Sequence, residues 1–165
     1  DSTTGLPNRA SLANHLVREL ARSETDRHVF AVLYLEVANH RDIPDNQAEE
    51  AIAALAKAVT TAVDDGTYLS RYSTSAFVLI VTNPAHHKYE DMYQRLRDLP
   101  RETDGGVTLE LRAGQSVFPN SGRNSRMLMK KAMETSELRK LGLASLKEEV
   151  KSADYFEARS ALPET

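Results

Sequence analysis

The chain has 165 residues, no cysteine, and 21 Lys and Arg against 24 Asp and Glu, for a formal net charge of −3 at neutral pH. That length buries one core without covalent staples, and the lack of cysteine excludes disulfides and thiolate metal sites. Cations and anions are interspersed without a basic stripe, which argues against nucleic-acid binding, and the apolar run Val29 to Leu35 is far short of the ~20 residues of a membrane helix.

Taken in chain order, Asn8 is placed to cap a first helix whose Leu12, Leu16 and Leu20 share one face. Val29 to Leu35 is apolar at every position, as expected of a central strand covered on both faces, and it delivers Glu36 at its end. A long amphipathic helix is predicted from Asp45 to Val63 through Ala48, Ile52, Leu55, Ala56 and Val59, with Asp64-Asp65-Gly66 as its stop. Two short strands follow, Tyr68 to Tyr72 and Ala76 to Val81, joined by the hairpin punctuation Ser73-Thr74-Ser75. A third helix from about His87 to Leu99 buries Tyr89, Met92, Tyr93 and Leu96. After Gly105-Gly106 a strand from Val107 to Phe118 is expected, with a bulge near Gly114. A fourth helix spans about Ser125 to Leu141, and Tyr155-Phe156 is read as a closing strand. This order gives an α/β (α+β) fold with a mixed, largely antiparallel central sheet flanked by helices, and not a doubly wound one.

The opening run Asp1-Ser2-Thr3-Thr4-Gly5-Leu6-Pro7-Asn8-Arg9 resembles the D-x-L-T-G-L-P-N-R motif of GGDEF domains. Leu35-Glu36-Val37-Ala38-Asn39-His40-Arg41-Asp42-Ile43-Pro44-Asp45 then stands where that family has L-D-x-D-x-F-K-x-x-N-D, and Arg71-Tyr72-Ser73-Thr74-Ser75-Ala76-Phe77 where it has R-Y-G-G-D-E-F. Gly114, Lys130-Lys131-Ala132 and Arg139-Lys140 extend the resemblance to the family's last strand and helix. It implies the nucleotidyl cyclase-like palm fold over residues 1–165 as a single domain.

The resemblance implies an ancestral diguanylate cyclase site in which an Asp after the first strand and the Glu of the hairpin hold Mg²⁺ on GTP. Glu36 keeps a carboxylate at the first position, one methylene longer. Ala76 has none at the second, and the acid before it is Ser75. Ser73 and Thr74 replace the paired glycines, and β-branched Thr74 is poorly suited to positive φ. Pro44 removes the guanine-reading Asn, which leaves Asp45 and the phosphate-binding position Lys140 as nucleotide contacts. At the family's R-x-x-D inhibitory site stand Asp64 and Thr67.

Each of these residues has a plainer reading. Glu36 suits a solvated strand end, Asp45 the first turn of a helix, Lys140 the last turn of one, Arg71 a surface position or a salt bridge, and His86-His87 a polar loop whose rings diverge. The expectation is a degenerate GGDEF domain with no catalytic residue, a vestigial loop Ser73–Phe77, and no cofactor, Mg²⁺ being needed only if a nucleotide binds. It begins at Asp1 without a methionine and is read as a piece of a longer cytoplasmic signalling protein, with a membrane anchor elsewhere in the parent left open. Its partners are expected to be other domains of that parent, an EAL domain among them, or a signalling protein. The alternatives are a GTP-binding sensor and, less favoured, an active cyclase.

Overall fold

A computed structural model describes residues 1–134 and 141–151. The Asn8 side chain accepts the Ser11 amide at 2.9 Å, so α1 (Arg9–Asp26) starts where the sequence places its cap. It ends at Arg27, whose φ of 56° is left-handed and turns the chain into β1 (Phe30–Val37). β1 pairs on one edge with β3 (Ala76–Thr82) and on the other with β4 (Leu111–Phe118), while β2 (Tyr68–Arg71) pairs with β3. The order is β2-β3-β1-β4, and each pairing among the described strands is antiparallel.

Because strand side chains alternate, β1 feeds two cores. Ala31, Leu33, Leu35 and Val37 join Phe77, Leu79 and Val81 beneath α2 (Asp45–Ala62), α3 (Glu90–Arg97) and α5 (Leu143–Lys151). Phe30, Val32 and Tyr34 join Ala76, Val78 and Ile80 beneath α1 and α4 (Ser125–Glu134). Each large apolar side chain buried in these layers contributes about 1.5–3 kcal/mol, so the sheet keeps its shape whatever occupies the hairpin tip. The third helix buries Tyr89, Met92, Tyr93 and Leu96 as expected, although its first turn, His87–Tyr89, is a 3₁₀ helix.

Three features differ from expectation, and two others run beyond the described residues. Residues 101–109 fold back on themselves around Gly106 (φ +79°), with Leu109 N–H donating to Arg101 O at 2.6 Å, so β4 begins at Leu111 rather than Val107. No bulge interrupts β4, because its register against β1 is continuous from Leu111 to Phe118, with Gly114 directly opposite Tyr34. The fourth helix is described to Glu134, and its expected remainder runs into residues 135–140, outside the described residues. Helix α5 lies beyond Gly142, which by residue type marks only the stop of a helix. Its Leu146 and Val150 are buried and the Leu141 carbonyl accepts Arg97 Nη1 at 2.6 Å. The closing strand at Tyr155-Phe156 lies outside the described residues. No described helix is long and apolar enough to cross a membrane.

One buried acid ties α1 to the sheet. Glu19, 4% exposed, receives Arg22 Nη2 at 2.6 Å and the Thr82 hydroxyl at 3.0 Å, with His28 Nε2 at 3.4 Å. Burial pushes its pKa up, but hydrogen bonds from Arg22 and Thr82 outweigh this and hold it below the ordinary carboxylate value. A carboxyl with a depressed folded pKa stabilises the fold above its unfolded pKa and loses that contribution as pH falls through the folded one. Glu19→Gln is expected to lower stability at pH 7 by about 1 kcal/mol, and the gap to wild type should narrow as pH drops below 4.5. Urea unfolding across a pH series measures both.

Candidate functional site

The hairpin between β2 and β3 lies at the same end of the sheet as the C-terminus of β1, because Glu36 is the cross-strand partner of Ala76. The hairpin is closed tightly. The Ala76 carbonyl accepts the amides of Tyr72 at 2.9 Å and Ser73 at 3.3 Å, and Ser75 O accepts the Val37 amide at 2.9 Å. Ser73, Thr74 and Ser75 all keep negative φ, since Arg27 and Asn83 are the non-glycine residues with positive values among those described. The turn therefore uses an ordinary backbone in place of the special geometry that paired glycines would allow.

Arg71 organises this end of the molecule. It is only 9% exposed, and its guanidinium donates to Ser73 O at 3.1 Å and Thr74 O at 3.2 Å inside the hairpin. It also donates to Asp1 Oδ2 at 3.0 Å and to Glu49 Oε1 on α2 at 3.4 Å. Asp1 Oδ2 in turn accepts the Thr4 amide and hydroxyl, Gly5 adopts φ +73°, and Pro7 O accepts the Arg71 amide. One buried cation thus joins the opening turn, the hairpin and α2. The salt-bridging reading of Arg71 holds, but the side chain is buried rather than superficial. Asp1 and Arg71 both lie in the sequence motifs; nothing in the sequence marked Glu49.

Glu36 is partly buried on the α1/α4 side of the sheet, two residues beyond Tyr34 on the same face of β1. Burial first, and the nearby Glu36 charge second, push the Tyr34 pKa up to about 12. Beside Glu36 in the register stand Ala76 on β3 and the cation Arg112 on β4. The carboxylate therefore lies on the same sheet face as the Tyr34 phenol and is flanked by a methyl group and a guanidinium-bearing chain. Ser75 is partly buried and Thr74 exposed, and neither carries a charge. Phe77 is fully buried in the α2/α3 core. Tyr72 packs edge-on against Tyr34, with ring centroids 5.9 Å apart, and carries the Arg9 guanidinium 4.2 Å above its ring.

The other sequence candidates are dispersed. Asp45 is exposed in the first turn of α2, after Pro44, with no hydrogen bond or ion pair to Glu36 or to the hairpin. Lys140 lies outside the described residues. Asp64 is paired with Arg95 at 2.7 Å, and the Thr67 hydroxyl donates to Met92 Sδ. The rings of His86 and His87 do not diverge: they stack with centroids 4.4 Å apart, and His86 Nδ1 accepts the Lys88 amide to cap the following turn. That cap fixes His86 and brings its ring onto that of its neighbour.

A Mg²⁺ ion with few protein ligands depends on each carboxylate it has. The hairpin offers a methyl at Ala76 and a hydroxyl at Ser75, which leaves Glu36 as the one carboxylate of the two motif positions. Among the described residues no group of three or more His, Asp or Glu side chains comes together in a way that would hold a metal. This donor set does not fit the metal-bound nucleotide that the motif positions imply.

The family profile described as "Diguanylate cyclase, GGDEF domain" matches residues 1–141. Among curated proteins the chain is similar to the signaling protein YkoW of Bacillus subtilis, 25% identical over 142 residues. It is also similar to the cyclic di-GMP phosphodiesterase NbdA of Pseudomonas aeruginosa, 24% identical over 140 residues. Each match covers 80% of this chain but 18% of the relative, so the chain spans about a fifth of the length of these proteins. Among solved structures, a sensory box/GGDEF family protein of Caulobacter crescentus aligns with a TM-score of 0.67 at 22% identity, over 86% of this chain and 96% of that one.

Replacing Arg71 by Met removes the cation while keeping a similar apolar stem. Arg71→Met is expected to lower unfolding free energy by about 2 kcal/mol and to speed amide exchange at Ser73 and Ser75. Exchange within the β1–β4 ladder should change only in step with global stability. Denaturant unfolding and hydrogen exchange check the two effects separately.

Proposed function

We propose that this chain, which belongs to the GGDEF domain family, is a noncatalytic regulatory and protein-interaction module of a larger cyclic di-GMP signalling protein. The observation that carries the proposal is the pairing at the end of β1. Glu36 stands opposite Ala76, so the two carboxylates that would grip a metal-bound triphosphate are reduced to one. Metal, phosphate and base contacts all position one substrate, so their losses compound, at ~1.4 kcal/mol per factor of ten in rate. The turn across Ser73–Ser75 and the Pro44 before α2 weaken the phosphate and base contacts as well.

The role needs neither Mg²⁺ nor a nucleotide. The phosphodiesterase name of one relative, of which this chain spans 18%, supports a neighbouring phosphodiesterase-type EAL domain in the parent, and a cytoplasmic setting is part of the same proposal. A second reading, a GTP sensor using Asp45 and Lys140, rests on the exposure of Asp45 at a helix start, where no hydrogen bond or ion pair engages it.

Calorimetric titration of the purified chain with GTP plus Mg²⁺, and separately with cyclic di-GMP, is expected to give no heat of binding with either. Micromolar GTP binding that is lost in Asp45→Ala would replace the interaction-module reading with the sensor.

A further inference from the structure

Helices α1 and α4 lie side by side over one face of the sheet, and an open groove of about 600 Å³ runs between them. Its walls are apolar: Leu12, Ala13 and Leu16 recur along α1, and Met129 and Met133, one turn apart, along α4. Its rim is cationic, with Arg9, Arg126 and Lys130 against the lone acid Glu134. Arg9 is held on the Tyr72 ring, whereas the exposed Arg126 and Lys130 make no ion pair among the described residues.

The apolar surface continues beyond the groove. The large apolar side chains exposed among the described residues are Val17, Met127 and Met133, at 60%, 50% and 43%, and all three belong to these two helices. Val17 follows Ala13 by one turn on α1, which lengthens that wall. An apolar strip of this kind with a charged rim marks a protein-binding face, and a small ligand would leave much of it uncovered. Two helical walls with an apolar channel between them are the receptor half of a helix-in-groove contact, and methionines adapt to the stripe placed on them.

We propose that this groove docks an amphipathic helix of a partner protein domain. The helix would set its apolar stripe between Leu16 and Met133 and its acidic flanks against Arg126 and Lys130. The charge of the rim selects an acidic helix over a basic one. This proposal rests on the interaction-module reading and gives that module a surface. Tyr72 also lines the groove, so a docked helix would reach the frame of the hairpin.

The test uses the chain as it stands and a fluorescein-labelled synthetic peptide of about four helical turns, with Leu on an i, i+3, i+4, i+7 stripe and Glu on both flanks. A second peptide has Lys in place of each Glu. The acidic peptide is expected to bind with a dissociation constant of about 10 μM and the basic one about tenfold more weakly or not at all. Lys130→Glu and Met133→Asp, both at exposed positions, should each weaken the acidic peptide about tenfold. Thermal unfolding confirms that both variants fold, and amide shifts should map to α1 and α4. Equal binding of the two peptides, no saturable binding of the acidic one, or shifts confined to the α2/α3 face would overturn the proposal. GTP calorimetry does not involve the groove, so failure of the docking proposal and failure of the interaction-module reading are distinguishable.

Discussion

Strand β1 has a neighbour on each edge and helices over both faces, so its backbone must be paired and its side chains apolar from Phe30 to Leu35. Register follows from that constraint, because a slip of one residue would exchange the Leu33 face for the Tyr34 face and misplace every side chain of the strand. The same register sets the chemistry at the strand's end. It puts Glu36 opposite Ala76 and Arg112, brings Ser75 to the Val37 amide, and sends the Glu36 side chain to the same face as Tyr34.

The residues that match the family motifs here have structural work. Asp1 and Gly5 shape the opening turn, Asn8 caps α1, Arg71 ties that turn to the hairpin, Tyr72 supports Arg9, and Phe77 fills the core. Beside Glu36 at the end of β1, Pro44 before α2, and Asp64 and Thr67 between α2 and β2, the departures cluster at Ser73, Thr74, Ser75 and Ala76, at the hairpin tip, where side chains carry little of the packing apart from the Ala76 methyl. A stable fold and the proposed loss of catalysis are therefore compatible, because different atoms of one hairpin serve each. The Arg71 clamp explains how the tip keeps a defined turn without glycine: two of its carbonyls receive a buried guanidinium.

Much of this was legible in the sequence. An unbroken apolar run gave β1, repeats of three and four gave α1 and α2, and small polar residues between two apolar runs gave the hairpin. The strand after Gly105-Gly106 was read too long because a double glycine marks a turn without saying how far the chain folds back on itself. Helix α5 was missed although Leu143, Leu146 and Val150 carry a helical period, since Gly142 was taken as the end of helical structure. Glu49 is invisible in the sequence as a partner of Arg71 because a hydrogen bond across the fold leaves no local periodicity. The stacked His86 and His87 depend on a cap at Lys88 that residue type alone does not reveal.

The central claim is that a GGDEF fold with Ala76 opposite Glu36 makes no cyclic di-GMP. The direct measurement is prolonged incubation of the purified chain, at concentrations that favour pairing, with labelled GTP and Mg²⁺ or Mn²⁺, followed by chromatographic separation of the products. The account predicts no cyclic di-GMP above the protein-free control. Formation of cyclic di-GMP that is lost in Glu36→Gln would contradict it and would show that one carboxylate suffices.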